Sequence, residues 1–128
     1  MRKRPPPKKF FRLDESAVPA RLLRLRANLR GRCLGLPGAV EEFPWGGAGV
    51  YKVRGKIFAS TDFNDAGYEV AFKPPEDERE DALSLPFVRV ADYVGRYGWV
   101  QARLTRAAEI AIVWPWIEAA HGRLAGRG

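Results

Sequence analysis

GVYKVRGKIFAST, residues 49–61, decides the fold class of this chain. Two short alternating runs flank Arg54-Gly55, and the glycine suits the positive φ that a tight hairpin turn requires. A hairpin here commits the middle of the chain to an antiparallel sheet. Downstream, DFNDAG (62–67) is a second turn, rich in residues that tolerate left-handed backbone. YEVAFK (68–73) then alternates Tyr68, Val70 and Phe72 against Glu69, Ala71 and Lys73, as a half-buried strand does. FVRVADYV (87–94) and WVQARL (99–104), joined by GRYG, read as two further strands.

Helical patterns bracket this sheet. In SAVPARLLRLRANLRGRCLGLPG (16–38), Val18, Leu22, Leu25 and Leu29 form one apolar stripe, which Cys33 and Leu36 extend if Gly31 is tolerated inside. Ser16 can cap the start and LPG stops the helix. PPEDEREDALSL (74–85) reads as a short surface helix whose Glu76, Asp77 and Glu78 complement the N-terminal dipole. AAEIAIVWPWIEAAHGRLAG (107–126) is helical in pattern except for Pro115, so the final helix is expected to begin near Pro115 or to kink there. Trp114, Trp116, Ile117, Ala120 and Leu124 would supply its buried side. The expected fold is α+β: a two-layer sandwich, with an antiparallel sheet of about five strands and the N- and C-terminal helices on one face.

The chain has 128 residues, enough for one domain with its own core. Residues 16–128 form that domain, and 1–15 read as a basic, proline-rich, disordered arm. The net charge of +7 is unevenly placed. Residues 1–32 hold eleven Lys/Arg against two acids, whereas residues 33–128 hold eleven against thirteen. Arg2, Lys3, Arg4, Lys8 and Lys9 of the arm, with Arg21 and Arg24 of the first helix, are therefore the candidate contacts to a phosphate backbone. A plainly solvated basic tail and helix face is the other possibility. No apolar run approaches the roughly 20 residues of a membrane span, and the N-terminus lacks an apolar signal core. A cytoplasmic monomer without membrane attachment is expected.

Catalytic patterns are sparse. His121 is the single histidine, near the end of the last helix, and reads as structural. Cys33 is the single cysteine, so there is no disulfide and no multi-cysteine zinc site. GGAG (46–49) has no Lys-Ser/Thr after it and precedes a strand, which argues against a phosphate loop. Glu41 and Glu42 are adjacent and point apart, so they make no catalytic carboxylate pair. No enzyme activity, metal or cofactor is expected.

Binding groups gather instead on the sheet. Alternation puts Val100, Ala102 and Leu104 beneath the helices and Trp99, Gln101 and Arg103 on the other face. The same rule places Val88 and Val90 inward and Phe87, Arg89 and Tyr93 outward, with Asp92 an awkward inner residue. The helix-free face would carry Trp99, Tyr93, Phe87, Arg103, Arg89, Lys52 and Lys73. Aromatic rings interleaved with cations can stack bases and hold phosphates; the same residue types dominate protein interfaces; and cross-strand aromatic pairs can simply stabilise a sheet. All three uses stay open at this point.

LPGAVEEFPWG (36–46), VYKVRGKIFA (50–59) and YVGRYGWVQARL (93–104), in this order and spacing, resemble the MmcQ/YjbR family of small bacterial proteins. The resemblance covers roughly residues 20–125 and implies a frataxin-like sandwich, often labelled DNA-binding. From the basic arm, the first helix and the sheet face, with no sequence-reading motif present, weak, non-specific DNA contact is the first expected function, and a protein-interaction domain centred on Trp99 is the alternative. The arm at 1–15 extends beyond the usual domain start, and WPW at 114–116 falls where relatives run a regular, acid-containing helix. The acids that serve iron binding along the first helix of frataxins have no counterpart here. Arg21, Arg24, Arg26, Arg30 and Arg32 stand on the matching helix, so an iron-donor role is not implied.

Overall fold

The computed structural model describes residues 17–44, 48–64, 67–92 and 94–126. The arm at 1–15 and the Ser16 cap lie outside them. The first helix, α1 (Ala20–Leu34), takes Pro19 as its N-cap, and the Pro19 carbonyl accepts from Leu22 and Leu23. The stripe buries as its spacing dictates: Leu22, Leu25, Leu29 and Cys33 face the core, with Val18 and Leu36 packed at its margins. Gly31 sits inside the helix with open space where a side chain would be, so nothing forces the helix to stop there.

Six strands follow: β1 (Val40–Glu42), β2 (Val50–Val53), β3 (Lys56–Asn64), β4 (Gly67–Phe72), β5 (Val88–Val90) and β6 (Val100–Leu104). They form one antiparallel sheet in the order β1-β2-β3-β4-β6-β5. The β2–β3 hairpin turns on Arg54 and Gly55, both at positive φ (54° and 78°), which matches the right-handed twist of the strands. A bulge between Tyr51 and Lys52 leaves Phe58 unpaired, so Phe58 and Ala59 are both buried although they are neighbours. Between β4 and β5 the chain crosses under the sheet. The acidic segment forms a 3₁₀ turn (Glu76–Glu78) leading into α2 (Arg79–Leu83), which buries Ala82.

The last helix, α3 (Ala107–Ala125), lies beside α1 on the same face of the sheet. The core between the layers holds Tyr51, Phe58, Tyr68, Phe72, Leu29, Leu104, Ile110 and Ile117, all essentially solvent-free. Truncating such a side chain, Leu29→Ala for instance, costs about 2–5 kcal/mol.

Four points depart in detail from expectation. The sheet of about five strands has six, the extra one being β1, whose three residues carry too little alternation to be seen. The final helix begins well before Pro115 and runs through it. Its start is set by Glu109, whose Oε1 accepts the backbone N–H and the hydroxyl of Thr105 (2.7 and 3.1 Å). Pro115 is exposed, and the Ala111 carbonyl it leaves unbonded is on the wet side. Ile110, Val113, Ile117 and Ala120 pin the helix to the core on both sides of the proline, while Trp114 and Trp116 are half-buried at the margin. Third, Val90 is 54% exposed, because β5 is an edge strand that α2 covers only in part. Fourth, Phe87 packs half-buried against the core instead of standing on the helix-free face, and Asp92 is exposed.

Candidate binding face

The helix-free face is built from the alternate residues of four strands. The register aligns Ser60, Ala71, Gln101 and Arg89 in one row across the sheet, and Asp62, Glu69 and Arg103 in the next. Glu69 is the hub. Only 2% exposed, its carboxylate accepts from Arg89 (Nη1 to Oε2 3.3 Å, Nη2 to Oε1 3.4 Å), from Arg103 Nε (3.5 Å) and from Gln101 Nε2. Burial by itself would raise its pKa, but the hydrogen bonds and charge of Arg89, with help from Asn64 and Gln101, hold it below the ordinary carboxylate value. The two arginines remain 44% and 51% exposed, their charges turned inward to one shared acid.

Beside this hub the face sinks into a concavity of about 400 Å³, within the usual ~300–1,000 Å³ of ligand sites. Ser60 and Ala71 are its small floor residues; Ile57, Ala91, Val94 and Trp99 wall it, and Asp62 and Asp92 stand at its rim. Trp99 is half-buried and belongs to this wall, as alternation in WVQARL anticipates.

The other sequence candidates are scattered. Lys52 pairs with Glu42 across β1–β2 (2.8 Å). Arg21 and Arg24 are exposed on α1, in the layer opposite the helix-free face, and make no ion pair among the described residues. Further along α1, Arg30 is tied to Glu41 (2.9 Å), and Arg32 bonds Asn28 and lies over the Trp114 ring. Arg2, Lys3, Arg4, Lys8, Lys9 and Tyr93 lie outside the described residues. Among the described residues, Arg21 and Arg24 thus stand in the layer opposite Trp99 and do not share one face with it. Sequence pattern missed Glu69 as a hub, although a glutamate on a strand face that also carries two arginines was a usable signal. It also missed the acidic rim.

The single histidine and the single cysteine are packed into the core. His121 is buried, its Nε2 2.8 Å from the Pro37 carbonyl and its ring edge-on to Phe58. Burial first, and then the charge of Glu41, push the Cys33 thiol up to about 12. Tyr51, also raised by burial, donates its hydroxyl to Glu41 (3.0 Å). Among the described residues, no three His, Cys, Asp or Glu side chains converge to hold a metal ion, and no helix is long and apolar enough to cross a membrane.

The architecture is similar to that of protein DR2400 from Deinococcus radiodurans, a DUF419 domain, with a TM-score of 0.64 over 78% of each chain at 21% identity. That likeness concerns the fold. No curated protein matches the chain. Residues 34–122 match the YjbR family model, and the chain belongs to the YjbR family.

Proposed function

We infer that the chain is a non-catalytic binding module that docks a partner protein in the concavity beside Trp99. One observation carries this: Trp99, Ile57, Ala91 and Val94 line a concavity on a face where Arg89 and Arg103 are turned onto the shared carboxylate of Glu69, while Asp62 and Asp92 stand at its rim. Such a surface suits an apolar side chain flanked by Lys or Arg better than it suits a phosphate backbone. Tryptophan in a partly desolvated pocket is the usual anchor of an interface. The non-catalytic character is supported by His121 and Cys33, which are buried and turned to packing. Panning a displayed random-peptide library on the full chain, with counter-selection on Trp99→Ala, tests the proposal. Enriched peptides should pair a large apolar residue with Lys or Arg and be lost on Trp99→Ala. Enrichment of acidic peptides, or of peptides indifferent to Trp99, overturns it.

A second function has its own support. Arg21 and Arg24 are exposed and make no ion pair among the described residues, and they continue the basic composition of residues 1–12. Weak, sequence-independent contact of this layer with DNA phosphates would follow. Because log K falls with log salt by about 0.9 per phosphate neutralised, Arg21→Ala/Arg24→Ala should flatten the slope of a labelled-duplex titration by about two units at most. An unchanged slope removes α1 from the contact.

A further inference from the structure

A different set of cations meets where β4 ends and β6 begins. Lys73, Arg79 and Arg96 line a cleft of about 280 Å³ together with Pro74, Glu76, Tyr97 and Gly98. The crossover through α2 is what brings them together: Lys73 follows β4, Arg79 opens α2, and Arg96 lies in the 3₁₀ turn before β6. Gly98, at φ 96°, lets two of them close in. A methyl group there would stand 3.2 Å from Lys73 Cε and 3.7 Å from Arg79 Nη1. The frame is fixed on both sides. The Lys73 carbonyl accepts from Arg123 Nη2 (2.6 Å), and the 95–98 turn is closed by the Gly98 N–H on the Gly95 carbonyl (2.9 Å). Gly95 itself is so tightly seated against Val90 that no side chain would fit.

Three cations share this cleft with one carboxylate, Glu76, and none of the three makes an ion pair among the described residues. Three like charges drawn together around one acid favour a bound anion, and guanidinium groups match the oxygens of a phosphoryl group bidentately. Tyr97 stands at the cleft, 56% exposed, with Arg96 over its ring at 5.0 Å. An aromatic surface beside a phosphate site is the arrangement that stacks a base.

We propose that this cleft binds the phosphate of a nucleotide, with Lys73, Arg79 and Arg96 on the phosphoryl oxygens and Tyr97 against the base. The phosphate can come from a free mononucleotide or from the 5′ end of a single strand. The concavity beside Trp99 shares no lining residue with this cleft, so either site can fail without the other.

The experiment is a low-salt titration of the ¹⁵N-labelled full chain, reading the Gly98 amide shift, with adenosine 5′-monophosphate, ribose 5-phosphate and adenosine. Both phosphates should move Gly98 and adenosine should not. Arg79→Gln/Arg96→Gln should weaken both at least tenfold while the remaining spectrum stays folded. Lys73→Gln gives an independent variant if the double change disturbs α2. Tyr97→Ala should weaken the nucleotide and leave ribose 5-phosphate unchanged. A 5′-phosphorylated oligonucleotide that outcompetes its unphosphorylated twin assigns the site to strand ends; equal, weak competition by both assigns it to free nucleotides. Failure of both phosphates to shift Gly98, or undiminished binding by the charge variants, overturns the proposal.

Discussion

Arg89 and Arg103 on the helix-free face, and Arg79 and Arg96 in the cleft beside Gly98, are four identical side chains with two fates. The first pair converges on a buried carboxylate, so its charge belongs to the structure. The second pair converges on a space lined by one glutamate, so its charge is available to something that arrives. The lesson is that arginine count says little about where an anion can bind; the local acid count decides. On a face that looked basic by residue type the arginines are drawn onto a buried acid, and a crossover that looked acidic by residue type ends in a cationic cleft.

The sharpest way to break this comparison is to remove the acid. Glu69→Ala strips the hub of its hydrogen bonds from Arg89, Arg103 and Gln101. Breaking a buried pair costs about 3–5 kcal/mol, but these arginines are half-exposed and can turn to water, so about 2–3 kcal/mol is expected from urea unfolding. The same change should raise the low-salt affinity of the helix-free face for single-stranded DNA, because two guanidinium groups are released. A stable Glu69→Ala with unaltered DNA affinity would show that the pairs do not matter. Next in size, Arg89→Ala and Arg103→Ala should each cost about 1 kcal/mol, whereas Arg79→Ala and Arg96→Ala should stay within about 0.5 kcal/mol of wild type. Equal costs in the two pairs would erase the distinction.

The smallest effect is on acid stability. The Glu69 carboxyl lies below its ordinary 4.5 in the folded chain, so its contribution is complete above that pH and is lost as pH falls through the lower native value. Unfolding free energies from pH 6 downward should therefore fall less steeply for Glu69→Gln than for wild type. A steeper fall would mean that burial, and not Arg89, dominates the carboxyl.

Much of this arrangement was legible before any coordinates. The α1 stripe and the alternation of β4 and β6 are local periodicities, and each put its residues on the correct face, Trp99 and Arg103 included. What failed was non-local or competitive. Period-two pattern assigns Val90 a face, but it cannot say that β5 is an edge strand with little above it. Proline propensity argued against a helix through residue 115, yet packing on both sides of Pro115 outweighs one lost backbone bond. The pairing of Glu69 with Arg89 and Arg103 needs the β4–β6–β5 register, set by residues some thirty positions apart. The Lys73, Arg79 and Arg96 cleft likewise exists only because the crossover folds back.

Cys33 gives the molecule a built-in gauge of its own opening. It is the sole thiol in the chain, it lies solvent-free on the sheet-facing side of α1, and burial raises its pKa to about 12. At neutral pH a thiol reagent can reach it only when α1 lifts from the sheet. The labelling rate of unmodified protein thus reports the free energy of that one event, with no engineered probe, and distinguishes ligands that clamp the two layers from ligands that only touch the surface.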